Sequence, residues 1–199
     1  RCARGGLRGI GEMRLSRRLL ERENNQVLDH FAEVLISNRM TLLVHSSEPV
    51  GHEYPGKGNT GPDVLYQLAT RFPGLSLVCA HWGGGLPFYG LMPEVRQSLA
   101  RVMFDTAASP YLYDPQIYRE VINILGAQSI VFGSDYPLLT AGRLLREIRS
   151  LALPAEVEES ILGGNALRLL GCPPGTVTET GVGYRKISGL SLPSNCPNT

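Results

Sequence analysis

Apolar positions along the chain alternate between two patterns. Short, nearly unbroken apolar runs occur at 7–13 (LRGIGEM), 41–47 (TLLVHSS), 75–82 (LSLVCAHW), 102–109 (VMFDTAAS) and 129–137 (SIVFGSDYP). None alternates cleanly with polar residues, so each predicts a strand buried on both faces. Helical patterns lie between them, over 24–39, 61–74, 114–127, 140–151 and 154–171, with a broken helical connection over 86–99. In the first, Val27, Leu28, Phe31, Val34 and Leu35 fall on one helix face. Pro62 and Asp63 open the second and Pro73-Gly74 stops it; Asp114 is the expected N-cap of the third, with Pro115 at its first position.

Strands alternating with helices imply parallel strands joined by right-handed crossovers. The two architectures built this way are an eight-stranded barrel and an open doubly wound sheet. No glycine-rich phosphate loop follows the first run, which weighs against the open sheet. Residues 172–199 lack periodicity and are rich in Pro, Gly, Ser and Thr. The expected organisation is one domain over 1–171 and a poorly ordered tail over 172–199.

Composition narrows the function classes. The 199 residues are 43% hydrophobic and 19% charged, with a net charge of +1. No field attracts nucleic acid or an anionic membrane, and no apolar run reaches the ~20 residues of a membrane helix. Cys2, Cys79, Cys172 and Cys196 lack metal-ligand spacing and read as free thiols. With no signal-peptide pattern, the expected location is cytoplasmic. The first residue is not Met, so the natural N-terminus is expected upstream.

Every strand-like run closes on a titratable residue: Glu12, His45, His81, Asp105 and Asp135. In a barrel of this kind, strand C-termini carry the catalytic groups. Each residue also has a structural reading. Glu12 can pair with Arg14, His45 can bond Ser46 or Ser47, Asp105 can cap a turn with Thr106, and Asp135 can open the turn at Tyr136-Pro137. His52 reads as a solvated loop residue and His30 as structural. As a set, histidine and aspartate suit Zn²⁺, Mn²⁺ or Fe²⁺, with an open position for water or substrate. An unligated histidine nearby could move a proton.

The stretches LLVHSS (42–47), RFPGLSLVCAHWGGGLPF (71–88), MFDTAASPYLYD (103–114), IVFGSDYP (130–137) and ESILGGNALRLLG (159–171) resemble, in order and spacing, the second part of the amidohydrolase-related family. These are metal-dependent hydrolases on a (β/α)8 barrel. The group also contains aminocarboxymuconate-semialdehyde decarboxylase and similar nonoxidative decarboxylases. The resemblance implies an α/β fold: an incomplete (β/α)8 TIM barrel, strands four to eight with their helices. It implies that His45 and Asp135 bind a divalent metal, Zn²⁺ foremost. His81 then handles protons beside the metal, and Asp135 also accepts a proton from water. Glu12 falls where some members carry a bridging ligand, but the match is loose and leaves it outside the metal set.

The family's first-strand His-x-His pair is absent from these 199 residues. Strands one to three are therefore expected to lie outside them, leaving a marginally stable piece with weak metal binding. The implied reaction is attack of metal-activated water on a small carbonyl-type substrate. The alternatives are nonoxidative decarboxylation, with Lys57 as a partner for a substrate carboxylate, or a truncated non-catalytic fragment. A small-molecule substrate is the expected partner, with a homo-oligomer possible.

Overall fold

A computed structural model describes residues 2–21 and 25–172 of the chain. The tail expected over 172–199 lies outside these residues except for Cys172. Five parallel strands form one sheet: β1 (Gly9–Met13), β2 (Thr41–Val44), β3 (Ser76–Cys79), β4 (Val102–Asp105) and β5 (Ile130–Val131). Their spatial order is β1-β2-β3-β4-β5, the order in sequence. A doubly wound sheet reverses direction at a switch point, and this one does not. Leu42 pairs with Leu77, and Leu77 with Val102, so the strand C-termini stay level along the sheet. The β1–β2 pairing slips between Ile10 and Met13.

Alternate strand residues serve two faces. Leu42, Val44, Leu77, Cys79, Val102, Phe104 and Ile130 belong to the main core. Helices α2 (Gln26–Ser37), α3 (Pro62–Arg71), α6 (Gln116–Leu125) and α7 (Ala141–Ser150) pack onto that face through Leu28, Leu35, Leu65, Leu68, Ile117, Val121 and Ile148. The opposite face carries a small cluster of Val78, Met103 and Val131, with Leu43 and Leu169 against it.

The helices follow the periodic pattern, with two adjustments. In α2 the buried residues are Leu28, Ala32 and Leu35, while Val27 is 79% exposed. The buried face is thus turned from the one that Val27 and Val34 suggest, because Ala32 lets the helix approach the sheet closely. Asn25 Oδ1 caps this helix by accepting the Leu28 amide. Asp114 caps α6 as expected: its side chain accepts the Gln116 amide at 2.9 Å. The connection expected over 86–99 follows a left-handed turn over 82–85 and runs through a 3-10 turn ending at Leu91 into α4 (Pro93–Ser98). The final helical run is α8 (Ala155–Glu159), a π turn (Ser160–Gly164) and α9 (Asn165–Leu169). The Ile161 carbonyl in the π turn accepts the Phe132 amide, and Asn165 Nδ2 donates to the Ala127 and Ile130 carbonyls. These bonds fix the last strand, which as a two-residue edge has few ladder bonds of its own. α1 (Arg17–Glu21) and α5 (Ser109–Leu112) are single short turns.

Candidate metal centre

The level strand ends bring three donors together. Glu12 stands on β1, His45 follows β2, and His81 follows β3 and Ala80. The backbone ties them: the His45 amide donates to Met13 and the Ala80 amide to Val44. Glu12 Oε1 lies 2.7 Å from His45 Nδ1 and 3.5 Å from His81 Nε2. The two imidazoles meet edge to face with centroids 5.0 Å apart. One ligand atom from each residue falls within 4.8 Å of the others. Both histidines are buried, whereas the Glu12 side chain keeps 35% of its surface.

Each imidazole is oriented by its second nitrogen. His45 Nε2 faces the Ser47 hydroxyl at 3.3 Å, and that hydroxyl accepts the Gly58 amide at 2.9 Å. The Ser47 hydroxyl keeps both its proton and a lone pair available to His45 Nε2, while His45 Nδ1 faces Glu12. His81 differs. Its Nδ1 faces the Ala107 carbonyl at 3.2 Å and its Nε2 faces the Glu12 carboxylate. Both partners only accept, so both nitrogens carry protons. Burial alone would lower the His81 pKa; the Glu12 hydrogen bond, the Asp105 charge and the Ala107 carbonyl outweigh it and raise it to about 9. Hydrogen bonds from His45 and His81 hold Glu12 well below the usual carboxylate range.

Asp105, at the end of β4, serves the backbone instead of the donor cluster. Its Oδ1 accepts the amides of His81 (2.8 Å) and Ala107 (3.0 Å). Burial raises its pKa to about 6 against the opposing pull of His81. The segment it holds is left-handed: φ is 55° at His81, 56° at Trp82, and 60°, 59° and 93° at Gly83, Gly84 and Gly85. Such a conformation costs a non-glycine residue roughly 1–2 kcal/mol. Trp82 is anchored in return, fully buried against Tyr118 and donating from its indole to Ser109. Gly84 is required for contact as well, since a Cβ there would meet the Ser47 carbonyl oxygen at 2.4 Å.

The three donors open onto a cavity of about 520 Å³. Asp135 lines it too, but is not among the three clustered donors. Its backbone is left-handed (φ 64°), and its carbonyl accepts the Leu138 and Leu139 amides, so it does make the turn that its position before Tyr136-Pro137 suggests. His52 is an exposed loop residue, as the sequence suggests, and it also lines the cavity beside the Tyr54 ring. Lys57 does not line it. Its ammonium donates to the Val50 and His52 carbonyls and to Glu53, which pins the 48–60 loop. The cation on the cavity wall is Arg14, which sequence reasoning considered only as a partner for Glu12. The Glu-x-Arg alternation at a strand end places both side chains on one face, and that was the available signal. His30 is solvent-exposed on α2, 4.0 Å from Glu33.

A family model described as Amidohydrolase matches residues 1–172. The chain belongs to the amidohydrolase family. This amidohydrolase is 26% identical over 125 residues to a 2-amino-3-carboxymuconate-6-semialdehyde decarboxylase of Dictyostelium discoideum, covering 52% of the chain and 33% of that relative. It is 26% identical over 124 residues to the enzyme of the same name from Caenorhabditis elegans, covering 54% and 30%. The chain thus spans about a third of the curated relatives it matches. Among solved structures it resembles the 5-carboxyvanillate decarboxylase of Sphingomonas paucimobilis, with a TM-score of 0.68, 18% identity, and coverage of 84% of this chain and 59% of that one. A manganese-bound dihydroxybenzoic acid decarboxylase from Polaromonas superposes with a TM-score of 0.58 and 16% identity, covering 71% and 53%. At these identities the structural likeness establishes the fold alone.

The donor set fits a divalent cation. The His45 imidazole and the Glu12 carboxylate are donors suited to Zn²⁺, Mn²⁺ or Fe²⁺, with His81 beside them as the proton-bearing neighbour. Metal–ligand bonds of about 2.0–2.2 Å put two donors of one ion within roughly 4 Å of each other. Glu12 Oε1 already lies within that span of both rings.

Proposed function

We propose that this amidohydrolase is a metal-dependent nonoxidative decarboxylase acting on a small unsaturated carboxylic acid. One observation carries the reading: His81, with both nitrogens facing oxygen acceptors, stands as a proton carrier beside a metal-type donor cluster in a small cavity. The curated relatives named as decarboxylases support it. His45, Glu12 and Asp135 would hold the cation, Zn²⁺ or Mn²⁺, which would supply charge stabilisation and orient the bound acid. His81 Nε2–H gives its proton to the carbon that bears the carboxylate. The bond from that carbon to the carboxylate breaks, its electron pair remains as the new C–H bond, and CO2 departs. The Ala107 carbonyl keeps the Nδ1 proton in place throughout, so that only Nε2 exchanges. The neutral imidazole then recovers a proton from water. A positioned acid of this kind contributes about 10²–10⁴-fold.

Hydrolysis, the reaction first implied by the sequence, uses the same groups differently. Asp135 on the cavity wall would take the proton of the attacking water and His81 would polarise the carbonyl. The relatives favour decarboxylation. Incubating the metal-loaded protein with a panel of small aromatic and unsaturated acids, and with their esters and amides, separates the two. Release of CO2 supports the proposal; release of an alcohol or amine without CO2 overturns it.

On the same grounds we propose that the five strands are strands four to eight of a (β/α)8 barrel whose domain part here is 1–171. The sequential strand order and the 59% coverage of the 5-carboxyvanillate decarboxylase support this. The face bearing Val78, Met103 and Val131 would then be the barrel interior.

A further inference from the structure

One side chain joins the donor cluster to the cavity wall. Ser47, two residues past His45, is 2% exposed. Its hydroxyl faces His45 Nε2 at 3.3 Å and accepts the Gly58 amide at 2.9 Å. Its own amide donates to the Thr60 carbonyl at 3.0 Å. The chain therefore leaves Ser47, runs through 48–57 and returns to the same residue at Gly58 and Thr60, a loop closed at its base on one serine. The outer part of that loop supplies His52, Tyr54, Pro55 and Gly56 to the cavity. Its return passes close to the donors: a Cβ on Gly58 would lie 3.6 Å from both His45 Cδ2 and the Ser47 hydroxyl. At Gly58 the loop backbone thus meets the imidazole with no side chain between them.

Two bonds share the Ser47 oxygen. One orients the ring whose Nδ1 lies 2.7 Å from Glu12, and the other closes the loop. The remaining ties of the loop avoid the donors: Arg14 holds the Gly56 carbonyl, Lys57 the Val50 and His52 carbonyls, and Tyr54 the Glu48 carboxylate. A ligand held at its second nitrogen loses less freedom on meeting a metal. Fixing the ring also fixes the shared oxygen, which favours the closed loop, and opening the loop frees the oxygen and loosens the ring. Such a coupling acts equally in both directions. We infer that Ser47 is a positioning residue that couples metal binding at His45 to closure of the 48–60 loop, so that the cavity wall is set in the metal-loaded protein. This rests on the metal reading of the donor cluster and not on the reaction proposed for it.

Amide hydrogen exchange tests it on the 199-residue chain, chelator-treated and with saturating Zn²⁺, with Mn²⁺ uptake followed in parallel. The Gly58 amide reports the loop, and the amide of Val121, buried in α6, reports stabilisation of the fold as a whole. Zn²⁺ is expected to slow exchange at Gly58 by about tenfold more than at Val121. In S47A that excess is expected to vanish, and Mn²⁺ to bind about tenfold more weakly. S47T, which keeps a hydroxyl, is expected to retain the excess. A merely structural role for Ser47 would speed exchange in S47A with and without Zn²⁺ and leave the excess in place, and that result overturns the inference. Equal slowing at Gly58 and Val121 in the wild type also overturns it while leaving the metal site standing, and this comparison decides alone if S47A does not fold. Failure of the wild type to take up either ion instead overturns the metal reading and this inference with it, so the two failures are told apart.

Discussion

At the residue scale, the site depends on what each nitrogen and oxygen faces. His45 and His81 look alike in the sequence, each closing an apolar run, but their surroundings separate them. A hydroxyl that can both donate and accept faces His45, whereas two pure acceptors face His81. The sequence singles out the histidines and Asp135 because they close strand-like runs; the structure brings the histidines together with Glu12, and Asp135 lies on the cavity wall. The sequence could not show that Asp105 turns its carboxylate to two backbone amides, nor that Glu12 reaches both rings, since both depend on lateral distances between strands. Replacing His81 with Asn is expected to lower turnover by 10²–10⁴-fold while metal content stays near wild type, checked by steady-state kinetics and elemental analysis. The pH response follows from the His81 pKa, raised in the folded state from 6.5 to about 9. The folded protein holds this proton more tightly than the unfolded chain. The stability it contributes is thus complete below pH 6.5 and is lost as pH rises through 9. In chelator, thermal melts from pH 6 to 10 are expected to show a falling Tm, worth about 3 kcal/mol at the limit. The titration of Asp105, between about 3.8 and 6, lies below this window. A flat alkaline limb, or H81N melting with the same slope, would sink the assignment.

At the element scale, the turn over 81–85 explains why glycines follow His81. A run of glycines permits a tight turn beside the site. The structure adds that the turn is left-handed from His81 onward and that Gly84 seats directly on the Ser47 carbonyl. Gly84→Ala is therefore expected to cost more than about 2 kcal/mol, because both the φ and the contact are violated, and to loosen the Ser47–His45 bond. Gly163→Ala, in the π turn with nothing within 4 Å of a Cβ, is expected to be neutral or to stabilise by up to ~1 kcal/mol. Denaturant titration of the pair reads this directly, and equal effects would contradict the account. Strand and helix existence was legible from periodicity; the 3-10 stretch and the π turn were not, since both arise from contacts made across the fold.

At the scale of the whole molecule, one face of the sheet is covered by helices, and among the described residues the other carries a small cluster of Leu43, Val78, Met103, Val131 and Leu169. If that face is a barrel interior, the 199 residues alone expose apolar surface and sheet edges. Light scattering on this chain is then expected to show self-association, and a stable monomer melting sharply above 60 °C would contradict the partial-barrel proposal. The parallel α/β class was readable from the alternation of runs, whereas the strand order and the donor cluster required the pairing and register that level the strand ends. The account's central claim is that Glu12 and His45 hold a divalent cation beside a proton-carrying His81. Titrating Mn²⁺ into chelator-treated protein and following free Mn²⁺ by electron paramagnetic resonance tests it most directly. The account predicts weak but saturable uptake at a single site, lost in H45A and at least tenfold weaker in E12Q, but retained in H81N; no uptake, or uptake indifferent to His45, would contradict it.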